Sequence, residues 1–186
     1  MNRLKYNRAY LCGPMEMSPD NGQDWRINIQ RELRDLDIIW LDPTQKPTRI
    51  ALEDEETKHI LNELREKEDY DLLKQMGVPI RGYDLRMVDV ADFLVVHLNQ
   101  NVPTCGTYEE LFWANRQKKP ILLHYEQGRS HIPHWLWFSL PKQTMFGNWD
   151  EVYTYIRHIN SDPNIDDLGR WRFFDFSLCR HFEEDN

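Results

Sequence analysis

The sequence is poor in the features that would place it in several broad classes. It has three cysteines, Cys12, Cys105 and Cys179, an odd set with no C-x-x-C pair. That pattern argues against a disulfide framework and for reduced thiols in a cytoplasmic protein. No run approaches the ~20 apolar residues of a spanning helix, and the start of the chain, Met1 to Arg8, is polar and basic without an apolar signal core. A soluble, unexported protein is therefore expected, with no membrane partner. A formal net charge of −8 leaves no general surface for a nucleic-acid polymer. Neither a G-x-G-x-x-G fingerprint nor a Walker pattern is present, and there is no internal repeat and no low-complexity stretch. What is present is 40% apolar and 12% aromatic content in 186 residues, enough for one domain with a substantial core.

Short apolar runs alternate with amphipathic segments. Ala9-Tyr10-Leu11-Cys12 stops at Gly13-Pro14 and reads as a first strand entering a tight turn. Trp25, Ile29, Leu33 and Leu36 recur at helical spacing, and Ile38 to Leu41, stopped by Asp42-Pro43, is a second strand. Residues 43–80 read as an insertion: a loop over Thr44 to Glu56, then a charged helix carrying Ile60, Leu61, Leu64, Leu72, Leu73 and Met76 and ending at Gly77-Val78-Pro79. A short helix opened by Asp84 precedes Phe93 to Val96, a run suited to a strand buried on both faces of a parallel sheet. After it come the helix that starts near Gly106-Thr107 and a fourth strand, Ile121 to His124. Residues 127–186 form an aromatic-rich extension, with a helix from Trp149 to Ile159 and a tail, Trp171 to Phe176, aromatic enough to be docked. Strand and helix alternation of this kind predicts an α/β fold: a flavodoxin-like (Rossmann-like) three-layer sandwich on a mostly parallel sheet.

Candidate chemistry gathers where strand ends meet helix starts, the edge at which open α/β sheets bind ligands. Glu110 lies in the first turn of a helix directly after a buried strand. Thr107-Tyr108-Glu109-Glu110 also matches a capping box, so the same carboxylate reads either as a helix cap or as a reactive group. Asp84 has the same two readings, and two carboxyl groups at one edge suit glycoside chemistry, with one to attack and one to protonate the leaving group. Asp92, at a helix-to-strand junction, is placed to accept backbone N–H bonds, and Asp89 falls on a solvated helix face. The Gly13 to Arg26 loop, with Gly22 and the start of the Trp25 helix, is expected to meet a sugar or 5′-phosphate, with Arg26 as the charged partner. His131-Ile132-Pro133-His134 lacks a helix and a third ligand, so no metal or cofactor is expected.

Tyr10-Leu11-Cys12-Gly13-Pro14, Asp84 followed at spacing eight by Asp92 and a strand, Gly106-Thr107-x-x-Glu110-Leu111-x-x-Ala114, and Lys119-Pro120-Ile121 occur in this order. Together, over Tyr10 to Leu123, they resemble the nucleoside 2-deoxyribosyltransferase superfamily, and within it a subgroup often met in phage genomes. The resemblance implies cleavage or transfer at the N-glycosidic bond of a small 2′-deoxynucleoside or deoxynucleotide through a covalent glycosyl-glutamate. Glu110 matches the family nucleophile, Asp84 the acid that protonates the departing base, and Tyr10 the hydroxyl that orients the nucleophile. With these go Gly13, Pro14, Met15, Arg26, Asp92, Gly106, Thr107, His134 and Trp137 as the expected substrate-binding set. The chain departs from the family in two places. Pro103-Thr104-Cys105 stands where transferases commonly carry an Asp before the Gly, and the His134 to Trp137 segment lacks the Asn usually offered to a neighbouring subunit's site. A homodimer or higher homo-oligomer is expected, also from the exposed aromatic content of Trp135, Trp137 and Phe138. The alternatives left open are a hydrolase of 5′-monophosphates, a non-catalytic nucleotide-binding or sensing module on the same fold, and an interaction protein.

Overall fold

The computed structural model describes residues 2–47 and 51–161. The Trp171 to Phe176 tail, Cys179 and the rest of the extension beyond residue 161 lie outside the described residues. Among the described residues five strands, β1 (Arg8–Cys12), β2 (Ile39–Leu41), β3 (Phe93–Leu98), β4 (Ile121–Tyr125) and β5 (Met145–Phe146), form one sheet in the order β2-β1-β3-β4-β5. Every pairing is parallel, with Tyr10 opposite both Leu41 and Leu94, and His97 opposite His124. This is the flavodoxin-like order, and it has its switch point between β1 and β3. The fifth strand escapes sequence reading because two residues are too few to show a period.

Among the described residues six α-helices flank the sheet: α1 (Gln23–Glu32), α2 (Glu55–Glu66), α3 (Tyr70–Val90), α4 (Gly106–Arg116), α5 (His134–Ser139) and α6 (Trp149–Ser161). Alternation along the strands divides the core in two. Ala9, Leu11, Phe93, Val95 and Leu122 pack with Ile29 of α1 and Val152, Tyr155 and Ile156 of α6. On the other face Tyr10, Cys12, Leu94, Val96 and Leu123 pack with Met87 and Val88 of α3, Leu111 and Ala114 of α4, and Leu136 of α5. Helix, sheet and helix thus make three layers. Among the described residues no helix is long and apolar enough to cross a membrane.

One boundary differs from the sequence reading in a way that matters for the site. The Gly77-Val78-Pro79 punctuation does not end a helix, because α3 runs unbroken from Tyr70 to Val90 with Pro79 inside it. Proline forfeits one backbone hydrogen bond there, but Ile80, Asp84, Met87 and Val88 follow at spacings of four, three and one and bury one face. Tertiary packing overrides the local breaker. Asp84 is consequently the fifteenth residue of a 21-residue helix and not the N-cap of a short one.

Candidate active site

Tyr10 and Cys12 sit two apart on β1, so both point to the face that carries α4. Both are fully buried. The Tyr10 hydroxyl donates to Glu110 Oε1 at 2.8 Å, and the Cys12 thiol approaches Oε2 at 3.0 Å, with a second contact to the Thr107 carbonyl at 3.5 Å. The capping-box reading of Glu110 fails on this geometry. Helix α4 begins at Gly106 with Cys105 as its N-cap, so Thr107 is already inside the helix, and its hydroxyl lies 2.5 Å from that of Thr104. Glu110 is turned across the helix end toward β1. Burial raises its pKa, and the hydrogen bonds from Cys12 and Tyr10 act in the opposite direction by favouring the carboxylate. Glu109, one residue earlier, points away and pairs with Arg81 of α3. Adjacent residues about 100° apart on a helix thus have separate tasks.

The second carboxyl group has company that the sequence did not announce. Lys46, in the loop after β2, has a side chain with no exposed surface, and its ammonium lies 2.5 Å from Glu53 Oε2 and 2.7 Å from Asp84 Oδ1. Asp84 is 8% exposed. Burial above all, then the charge of Glu53, pushes its pKa up to about 8, against the pull of Lys46 and with a further push from Glu110. A carboxyl group in that range holds a proton near neutrality. Lys46 and Glu53 carry no sequence signal, being single charged residues in a loop without a period. Cys12 did carry one, since strand alternation alone puts it on the same face as Tyr10.

Glu110 borders a small cavity of about 150 Å³, lined also by Gly13, Met15, Glu53, Thr104, Gly106 and Thr107. Met15, Glu16 and Glu53 continue into a larger cavity of about 340 Å³ beside α2 and α3, lined by Leu61, Asn62, Leu73 and Ile80, with Lys58 and Arg65. Gly13 has to be glycine, because a Cβ there would stand 2.8 Å from the Trp25 ring. Of the expected substrate-binding residues, Gly13, Met15, Gly106 and Thr107 therefore meet at the crevice with Glu110. Pro14 faces another cavity, on the α1 side.

Three further expectations are corrected. Arg26 is fully buried and spends its guanidinium on the carbonyls of Leu11 at 3.2 Å, Gly22 at 2.6 Å and Gly13 at 2.9 Å, with Asp42 at 3.8 Å and the Trp25 ring beneath it. It braces the β1–α1 loop from behind and presents no charge to a phosphate. The start of α1 is likewise taken, since the Asp20 carboxylate accepts the backbone N–H groups of Gly22 at 3.0 Å and Asp24 at 2.9 Å. Partial burial works against ionisation of Asp20, yet the Ser18 hydroxyl and these N–H groups bring it down to about 2. Asp92 precedes β3 at the opposite edge of the sheet, where it binds the Arg8 backbone at 2.8 Å and the Arg8 guanidinium at 3.0 Å. That is the junction role its position suggested, and it is far from any strand's C-terminal end. His134 and Trp137 are exposed on α5 and line neither cavity of their own chain.

Comparison of the sequence with protein-family models finds no match, and comparison with curated proteins finds none. Solved structures do match. A 2-desoxiribosyltransferase from Leishmania mexicana superposes with a TM-score of 0.54 at 20% identity, over 82% of this chain and 98% of its own. A 2-deoxyribosyltransferase from the psychrotolerant bacterium Bacillus psychrosaccharolyticus gives 0.55 at 21% identity, over 80% of this chain and 91% of its own. At that identity, what this chain shares with both is the flavodoxin-like fold, over nearly the whole length of each.

Proposed function

We propose that this protein cleaves or transfers at the N-glycosidic bond of a small 2′-deoxynucleoside or deoxynucleotide, with Glu110 as nucleophile. The observation that carries this reading is the Glu110 carboxylate, held from behind by Tyr10 and Cys12 at the edge of a cavity, with Asp84 as a second carboxyl group of raised pKa. The two transferases on the same fold support the reaction class by what their names say of them. Glycosyl transfer needs one carboxylate to attack and one carboxyl group that still holds a proton for the leaving group; burial raises both groups here, and at Glu110 the Tyr10 and Cys12 hydrogen bonds favour the carboxylate.

In this mechanism Glu110 attacks the anomeric carbon while the C–N bond breaks, and Asp84 gives its proton to the departing base. The product of the first step is a glycosyl ester on Glu110. Water or a second base, giving its proton to the Asp84 carboxylate, then attacks the same carbon and frees the Glu110 carboxylate, which returns to its bonds with Tyr10 and Cys12. Tyr10 holds Oε1 and Cys12 holds Oε2, so the carboxylate is fixed in one orientation and attacks through a lone pair that these donors leave open. Cys12 must be a thiol to donate, which agrees with a reducing, cytoplasmic setting. In this reading the sugar takes the small cavity beside Glu110 and the base the larger one that continues from it. Helix α5 exposes 69% of Trp135 and 79% of Phe138, an apolar surface suited to a second copy of the chain in a homodimer or higher homo-oligomer. A sensing module is the second reading, favoured by Thr104 where a family Asp is usual and by the Lys46 ion pair that opposes protonation of Asp84.

The test is mass spectrometry of the protein incubated with each deoxynucleoside and its 5′-monophosphate, alongside base release. A glycosyl adduct on Glu110 is expected, absent in Glu110→Gln, while Glu109→Gln keeps most activity. Full activity in folded Glu110→Gln would remove the nucleophile assignment. Binding without base release by the wild type would put the sensing module first.

A further inference from the structure

On the face of the sheet opposite Glu110, three potential ligands converge that the proposed reaction leaves unused. His97 and His124 occupy paired positions at the C-terminal ends of β3 and β4. Their Nδ1 atoms are 2.9 Å apart. Glu126, just past β4, brings Oε2 to 4.0 Å from His97 Nε2, and one ligand atom from each of the three residues lies within 4.8 Å of the others. Trp149 stacks on His124 at 4.2 Å between ring centres, and Trp25 leans on His97 at 5.4 Å, so both imidazoles are held by aromatic walls. His97 and Glu126 open onto a cavity of about 200 Å³ that also receives Asp24 and Asn99.

We propose that His97, His124 and Glu126 bind one divalent transition-metal ion of the zinc class. Two imidazoles and a carboxylate suit borderline ions such as Zn²⁺ or Co²⁺ and do not suit Mg²⁺ or Ca²⁺, which take oxygen ligands. Imidazole nitrogens about 2.0–2.1 Å from a tetrahedral ion stand roughly 3.4 Å apart. The histidine pair therefore opens by roughly half an ångström, and the half-exposed Glu126 side chain swings in to complete three protein ligands. The ring that donates Nδ1–H in the metal-free pair shifts to its Nε2–H tautomer, so no proton is lost in binding. The cavity leaves room for water in the fourth position. Of the neighbouring charges, Asp24 favours a cation, and Asp20 is committed to the start of α1. Arg26 opposes it, with its own charge partly offset by Asp42 at 3.8 Å. An ion here would clasp the ends of β3 and β4 beneath α6 and take no part at Glu110.

The experiment strips the full chain with a chelator and titrates it with ZnCl₂ by calorimetry and with CoCl₂ by visible absorption. One ion per chain, a Co²⁺ absorption band of a four-coordinate site and a higher melting temperature with Zn²⁺ are expected. His97→Asn and His124→Asn should each lose the Co²⁺ band. Glu126→Gln, at the surface and safe for folding, should weaken Zn²⁺ at least roughly tenfold. Exposed His59, His131 and His134 offer adventitious binding, so equal affinity in wild type and Glu126→Gln, with no Co²⁺ band in either, overturns the site. Stripped wild type that takes up no ion overturns it as well and leaves the pair as an internal hydrogen bond.

Discussion

Replacing Arg26 by Met distinguishes a brace from a ligand. Met fills most of the volume but removes donors from the carbonyls of Leu11, Gly13 and Gly22, all enclosed behind the β1–α1 loop. Leaving a buried acceptor without its partner costs ~1–3 kcal/mol. Asp42 loses its opposite charge but keeps Gln30 at 2.9 Å and the Thr44 N–H and hydroxyl at 2.9 and 2.7 Å, so it adds little. Some carbonyls will find water as the loop loosens. The net loss should be roughly 3–5 kcal/mol, the range measured when one partner of a buried ion pair is removed. For a chain of this size that is a fall in melting temperature of roughly 6–20 °C. Urea unfolding followed by tryptophan fluorescence measures it, with base release measured on nucleosides and 5′-monophosphates in parallel. Gly13 and Met15 line the crevice, so activity should fall by the same factor on both substrates. If Arg26→Met unfolded within ~1 kcal/mol of wild type and lost affinity only for phosphorylated substrates, the arginine would have to leave its carbonyls and reach the ligand, and the bracing account would be wrong.

Four other outcomes are expected. In its proposed role as proton donor Asp84 acts only while protonated, so base release should persist up to about pH 8 and fall as pH rises through that value, and Asp84→Asn should lack this limb. The same raised pKa makes Asp84 contribute stability that is fully present below its ordinary carboxyl pKa and lost as pH rises to about 8, a slope that Asp84→Asn should flatten in denaturation experiments across that window. Lys46→Met removes the ammonium between Glu53 and Asp84, so the alkaline limb should move upward and stability should drop by roughly 3–5 kcal/mol, and an unmoved limb in folded protein would detach Lys46 from the acid. Trp135→Ser with Phe138→Ser should reduce the oligomer seen by light scattering, whereas a monomeric wild type would deny α5 any role between subunits.

The parts of this molecule that could be read in the sequence are those fixed by short-range period. Phe93 to Val96 announced a doubly buried strand because nothing polar interrupts it, and Val152, Tyr155, Ile156 and Ile159 announced one face of α6. Tyr10 and Glu110 were legible because each lies within a few residues of a strand end or helix start, and the fold brings those two places together at the switch point. Helix α3 was misread as two elements because Gly77 and Pro79 are local signals, while what keeps the helix whole is burial of Met87 and Val88 against a sheet that no local window contains. A Cβ at Gly77 would meet nothing within 4 Å, so its glycine is not even required by space.

The charged residues separate along the same line. Glu109 and Glu110 are alike in sequence, and which of them faces β1 was decided by family position. The structure supplies a physical reason: Arg81, on a neighbouring helix, takes the first, and the Tyr10 and Cys12 donors take the second. Arg26 and Lys46 show the limit more sharply. A cation beside a glycine-bearing loop reads as an anion ligand, because from sequence the anion is imagined and the backbone carbonyls are not. Once folded, Gly22 at φ +70° exposes its carbonyl to Arg26 with no Cβ between them, and the loop consumes the charge that it seemed to offer. Lys46 is the converse: unremarked among 23 basic residues, it becomes the counter-ion of the proposed acid because the chain after β2 passes beside Asp84 of α3. A lone charge in a loop thus acquires its meaning from the carboxylate it is folded against, and only the partner's position, which is tertiary, tells a brace, a counter-ion and a ligand apart.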